Sequence, residues 1–163
     1  MTLVYPDKEL SAFNSENPDR EEVSIFLAGT IDNGESYDWQ NDIIKTFEKL
    51  DKELPVELII YNPRRSEWDK NASKQMLEEQ IRWEQNHLDK ADWIIMVLSD
   101  NSKSPISLLE LGLYASSEKL IVFCTDKFYR YDNVRLTCEQ YLIPLINSTN
   151  ISDIIEEIKN IIK

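Results

Sequence analysis

Two glutamates stand where helical spacing calls for apolar residues. From Pro105 to Ser117 the apolar stripe runs through Ile106, Leu109, Leu113 and Ser117, and Glu110 lies beside Leu109. In the preceding segment Leu77, Ile81 and Leu88 recur at the same spacing, and Glu84 falls between them next to Trp83. A glutamate is almost never fully buried without a partner, and loss of its water raises its pKa. Two such carboxylates form a candidate pair for acid, base or nucleophile chemistry. The plainer readings stay open beside this one. Glu110 reaches solvent from the stripe's margin or bonds a neighbouring loop, and Glu84 pairs with Arg82, Arg64 or Arg65.

Other chemistries have less to stand on. Arg64-Arg65, in Asn62-Pro63-Arg64-Arg65-Ser66-Glu67-Trp68-Asp69, could bind a phosphate or carboxylate, or form a solvated turn salt-bridged to Glu67 and Asp69. Three glycines in the whole chain leave neither a GxGxxG loop nor a P-loop, so nucleotide binding by those motifs is excluded. One histidine, His87, and two cysteines are too few for a His/Cys zinc site. His87 reads as a surface or pairing residue. Cys124 and Cys138 read as reduced thiols, because no export signal accompanies them.

The chain has 163 residues, 42% of them hydrophobic, which suits one compact domain. Its 30 acidic and 18 basic residues give a formal net charge of -12, which repels DNA or RNA polymers. The longest apolar run, Trp93 to Leu98, is far short of the roughly 20 residues that cross a bilayer. With no membrane segment and no signal peptide, a cytoplasmic domain is expected.

The elements that must position the two glutamates alternate along the chain. Residues 1–22 are polar and read as an N-terminal arm or irregular lead-in, and residues 23–163 as a single domain. Strands are expected at Val23–Ala28, Val56–Tyr61, Trp93–Leu98, Leu120–Cys124 and Tyr141–Ile146. Helices are expected at Asp38–Leu50, Ser73–Lys90, Pro105–Ser117 (capped by Ser104), shortly after the Asp126–Asn133 loop, and at Ile151–Ile162. Continuous apolar strands alternating with helices imply a parallel sheet covered on both faces, a doubly wound α/β sandwich. Ligands of such folds sit beyond the carboxyl ends of the strands. That directs attention to Gly29–Asp38, Asn62–Asp69, Ser99–Ser107 and Thr125–Asn133. The aromatic run Phe128–Asn133 suggests a lid or a subunit contact.

Taken in order, Ile25-Phe26-Leu27-Ala28-Gly29-Thr30-Ile31, Asp38-Trp39-Gln40, Asn62-Pro63-Arg64-Arg65, Trp83-Glu84, Ala91-Asp92 and Leu109-Glu110-Leu111-Gly112 resemble the nucleoside 2-deoxyribosyltransferase-like family, in its short single-domain bacterial and phage branch. The likeness covers about residues 23–135. It implies a flavodoxin-like fold with a five-stranded parallel sheet, assembled as a homodimer or higher homo-oligomer. It further implies a catalytic glutamate, here Glu110, that attacks the anomeric carbon of a 2-deoxynucleoside to form a glycosyl ester. A second base or water then resolves the ester. The acidic residue that holds or protonates the nucleobase is here Glu84, and an asparagine that crosses from a neighbouring subunit is here Asn133. Gly29, Thr30, Asp38, Trp39, Asn62, Arg64, Arg65 and Ser104 are the candidates for substrate contact. The chemistry needs no metal or organic cofactor. Three positions depart from the family pattern: Phe26 stands for a tyrosine, Ser104 for a sugar-binding aspartate, and Glu84 for an aspartate.

The sequence thus supports an enzyme that cleaves the N-glycosidic bond of a 2-deoxynucleoside or its 5′-monophosphate, with free nucleobase as product or second substrate. The missing hydroxyl of Phe26 and carboxylate at Ser104 keep open a catalytically inactive nucleotide-binding or sensing module. A third reading is an NAD-type glycohydrolase.

Overall fold

The computed structural model describes residues 1–7, 20–65 and 73–163. Among the described residues six strands form one parallel sheet: β1 (Thr2–Val4), β2 (Glu22–Gly29), β3 (Glu57–Tyr61), β4 (Trp93–Leu98), β5 (Leu120–Cys124) and β6 (Leu145–Ile146). Their spatial order is β1-β3-β2-β4-β5-β6. Five α-helices among the described residues connect or close them: α1 (Trp39–Leu50), α2 (Lys74–Lys90), α3 (Pro105–Tyr114), α4 (Tyr131–Tyr141) and α5 (Ile151–Ile161). The expected five strands become six because Thr2–Val4 pairs in parallel with β3. Three residues inside an otherwise polar stretch carry no periodic signal, and the strand exists only through the β3 edge that pairs with it. Residues 8–19 of the expected lead-in lie outside the described residues.

Alternation along β2 divides the protein into two cores. Ile25 and Leu27 pack with Trp39, Ile43 and Phe47 of α1 and Ile154 and Ile158 of α5. Phe26 and Ala28 face the other way, toward Leu88 of α2, Leu111 of α3 and Val134 and Cys138 of α4. This is the two-residue period of a strand buried on both faces. It confirms the doubly wound α/β reading, with strand order reversing between β2 and β4. The crevice beyond their carboxyl ends is the ligand edge of such a sheet.

Three boundaries move. α4 begins inside the expected aromatic loop, because Phe128 is core and its carbonyl accepts from the Tyr131 amide at 3.0 Å. At its far end α4 takes in Tyr141 and closes on Leu142 (φ 57°), so the last strand shrinks to two residues. α3 stops at Tyr114, short of Ser117.

The apolar stripes of α2 and α3 also turn out differently. Ile106, Leu109 and Leu113 are exposed, at 59%, 59% and 62%, while Ser107 and Leu111 face the core. On α2, Leu77 and Ile81 are exposed, while Gln80 and Leu88 are buried. The stripes are present, rotated away from the sheet. Each helix sets one leucine, Leu88 or Leu111, and one polar residue, Gln80 or Ser107, against the sheet side.

Candidate active site

The crevice floor is a backbone turn that only glycine permits. Gly29 ends β2 at φ +126°, and a Cβ there would lie 2.1 Å from the Val97 carbonyl oxygen of β4. Thr30 follows, buried, its amide donating to that same carbonyl at 2.9 Å. The Thr30 hydroxyl accepts from the Ser99 amide at 3.0 Å and pairs with the Ser104 hydroxyl at 2.7 Å. Ser104 pairs in turn with Ser102 at 3.0 Å, and Ser102 donates to Asp32 at 2.7 Å. Ser104 occupies the cap position of α3, as expected, but its side chain does not cap the helix. It is turned into this hydroxyl chain, with φ 42° in the left-handed region.

A second network fixes the loop after β2. Arg64 is 7% exposed, and its guanidinium donates to the carbonyls of Gly34, Ser36 and Tyr37 at 3.2–3.4 Å and to the Ser36 hydroxyl at 2.8 Å. Its Nε reaches Gln40 Oε1 and Asp38 Oδ1, both at 3.3 Å. Asp38 also caps α1, accepting from the Asn41 amide at 3.1 Å. The Asn62 side-chain Oδ1 accepts from the Arg64 backbone amide at 3.0 Å, and Trp39 donates its indole proton to the Thr30 carbonyl at 3.1 Å. Arg64 therefore clamps this loop, and Trp39 and Asn62 add hydrogen bonds to the same strand ends. Nothing in this arrangement leaves Arg64 as a free anion site. Among the described residues, the buried Gln40 Nε2 finds no acceptor. Glu67 and Asp69, the expected salt-bridge partners of the arginines, lie outside the described residues.

The two glutamates meet between α2 and α3. Burial and then the neighbouring charge of Glu84 push the Glu110 carboxyl from its ordinary 4.5 to about 8. Glu84 is also raised by burial, but a hydrogen bond from Gln80 and the positive charge of Arg65 pull it back. Gln80 Nε2 donates to Glu84 Oε1 at 2.7 Å, and Arg65 Nε donates to Gln80 Oε1 at 2.5 Å. Of the partners weighed from the sequence, Arg65 is the one that acts on Glu84, by its charge, and it also holds Gln80, which bonds Glu84. No donor among the described residues reaches the Glu110 carboxyl. Phe26, buried beneath, tilts against Trp83 at 6.1 Å between ring centroids and offers no hydroxyl. Two like-charged carboxyls in a dehydrated site share protons, so the pair can release one proton and accept another within one reaction.

The remaining candidates do not converge on this pair. His87 stacks on Trp83 at 4.2 Å, and its Nδ1 lies 2.7 Å from the Trp83 carbonyl, so it is part of the aromatic packing. Cys124 and Cys138 are free and buried, and burial pushes their thiols up to about 12 and 11, far from reactive thiolates. Asn133 is exposed in the first turn of α4 and lines an open groove of about 330 Å³ with Leu108, Leu111, Gly112, Tyr129 and Arg130. That groove is walled by α4, whereas Glu110 faces α2. Among the described residues no three of His, Cys, Asp or Glu converge as ligands for a metal ion, and no helix is long and apolar enough to cross a membrane.

Sequence spacing missed Gln80, Ser102 and Tyr114. Gln80 lies one turn before Glu84 on the same face, a spacing at which Gln and an acid bond each other. Burial and a hydrogen bond to Asp89 raise the Tyr114 phenol, with the Glu110 charge adding to the effect.

No curated protein matches this chain. A solved 2-deoxyribosyltransferase from the psychrotolerant bacterium Bacillus psychrosaccharolyticus is similar to it at 17% identity, over 62% of this chain and 72% of that one, with a TM-score of 0.47. The family model described as nucleoside 2-deoxyribosyltransferase like matches residues 22–128, from β2 to Phe128 after β5, with both glutamates inside the match. The chain belongs to the nucleoside 2-deoxyribosyltransferase-like family.

Proposed function

We propose that residues 23–163 act as one domain that cleaves the N-glycosidic bond of a 2-deoxynucleoside or its 5′-monophosphate and passes the sugar to another base or to water. The observation that carries this reading is the coupled Glu84–Glu110 pair, dehydrated and unequally supported. In the first step a Glu110 carboxylate oxygen bonds the anomeric carbon while the carbon–nitrogen bond breaks. The departing base takes a proton from Glu84, and a glycosyl ester remains on Glu110. In the second step an incoming base, or water, displaces Glu110 and returns a proton to Glu84. Two displacements at one carbon give net retention. Glu110 begins as the better proton holder of the two. Moving that proton to Glu84 produces nucleophile and acid together. The saturation of Arg64 by the loop favours the unphosphorylated nucleoside.

The chain works in this reading as a homodimer or higher homo-oligomer, with Asn133 crossing to a partner's site. The exposed faces of α2 and α3, through Leu77, Ile81, Ile106, Leu109 and Leu113, support such an assembly. Sedimentation velocity should show an oligomer that Leu109→Asp disperses. A Leu109→Asp variant with unchanged sedimentation removes that face from the interface.

The activity is tested by incubating protein with deoxynucleosides, their 5′-monophosphates and ribonucleosides, each with and without a second free base, and measuring products by mass spectrometry. The expected result is base release that Glu110→Ala abolishes, with a new nucleoside when the second base is accepted. Full activity in Glu110→Ala overturns the mechanism. A second reading, a catalytically inactive nucleotide-binding or sensing module, draws on the absent donors to Glu110 at Phe26. It is carried if a nucleoside or nucleotide raises the melting temperature and no base appears.

A further inference from the structure

Gln80 is an anomaly of a different kind from the glutamates. It is one of two buried residues on α2, at 6% exposure, in a position where packing against the sheet would suit leucine. A buried amide must satisfy two donors and an acceptor or lose their hydration. Here all are met. Nε2 gives one proton to the Pro63 carbonyl at 3.1 Å and the other to Glu84 Oε1 at 2.7 Å, and Oε1 accepts from Arg65 Nε at 2.5 Å. The orientation has no alternative, because a flipped amide would set its oxygen against two acceptors and its NH2 against a donor.

We infer that Gln80 is a positioning residue for Glu84: its buried amide, anchored by the Pro63 carbonyl and the Arg65 guanidinium, decides which carboxyl of the pair carries the negative charge. The physical reason is asymmetry. A donor aimed at a carboxylate favours its ionised form, and a cation on the far side of the amide polarises that donor further. Glu84 has both, and Glu110 has neither among the described residues. The charged and titratable groups set against the pair are Arg65 from the β3–α2 loop, on Glu84, and Tyr114 from α3, on Glu110; on α2, Asp89 accepts from the Tyr114 hydroxyl and His87 is stacked on Trp83. Of these, Arg65 is the cation on Glu84. On β2 the neighbour is Phe26, which carries no charge. The part Gln80 plays in turnover rests on the function proposed above. The charge asymmetry does not.

The test is a carbon-13 NMR titration of the glutamate carboxyls in the full chain between pH 3 and pH 10, with resonances assigned by Glu84→Gln and Glu110→Gln. The wild type should show the higher midpoint on Glu110. Gln80→Met, which keeps the volume and removes the donor, should raise the proton affinity of Glu84 about tenfold. Arg65→Met, on a half-buried loop residue and so safer for folding, should raise it about threefold in the same direction. In the activity assay, Gln80→Met should move the pH profile to higher pH and change kcat more than KM, which a purely structural role would not do. Glu84 midpoints unchanged in both folded variants, or a wild-type Glu84 that holds its proton to higher pH than Glu110, would overturn the inference. If the shifts occur and no nucleoside is cleaved, the inference stands and the proposed activity falls.

Discussion

Replacing Glu110 by glutamine should stabilise this protein at alkaline pH while removing its proposed nucleophile. The carboxyl titrates near its ordinary 4.5 in the unfolded chain and at about 8 in the folded one. The folded state therefore binds more protons between those values. The stability that Glu110 contributes is complete below pH 4.5 and is lost as pH rises through about 8. At about 1.4 kcal/mol per unit, the full shift corresponds to roughly 5 kcal/mol. Screening and relaxation around a half-buried side chain reduce that to about 2 kcal/mol. Glutamine keeps the shape and hydrogen-bonding atoms of the protonated acid and cannot ionise. The variant and the wild type should melt within a degree or so of each other at pH 5. By pH 9 the variant should melt roughly 4–8 °C higher, at the 2–4 °C per kcal/mol expected for a domain of this size. Thermal unfolding of both proteins at pH 5, 7 and 9 measures the gap. A gap that does not widen from pH 5 to pH 9 would refute a dehydrated Glu110, and with it the coupled pair.

Three further expectations rest on the scaffold. Gly29→Ala sets a Cβ against the Val97 carbonyl at 2.1 Å in a left-handed conformation, so urea unfolding should show a loss of about 3 kcal/mol or an insoluble chain. Arg64→Met strips the donors from three backbone carbonyls of the loop after β2. It should cost about 3 kcal/mol and speed hydrogen exchange of the amides between residues 34 and 38 ahead of those in α5. Leu142, 89% exposed at φ 57°, closes α4 in a conformation that favours glycine. Leu142→Gly should therefore raise stability by about 1 kcal/mol, read as a higher midpoint in urea.

The sequence by itself determined the layers. Continuous apolar runs such as Trp93–Leu98 and Leu120–Cys124 become strands at those very residues, because a strand buried on both faces leaves no polar position. Pro105 and Ser73 marked two helix starts for equally local reasons. Glu84 and Glu110 were legible as apolar-stripe anomalies, although the stripes beside them face outward. Periodicity reports that a helix has an apolar side but not which neighbour that side meets. The tertiary structure alone decided the rest. It recruited Thr2–Val4 as a sixth strand and turned Ser104 from a cap into a member of the Thr30–Ser102–Asp32 chain. It also spent Arg64 on the carbonyls of a loop some 30 residues earlier, and joined Arg65 to Glu84 through Gln80. Each is a contact between segments distant in sequence, or between a side chain and a backbone group with no residue-type signature. Such contacts exist only once the sheet has brought its strand ends together.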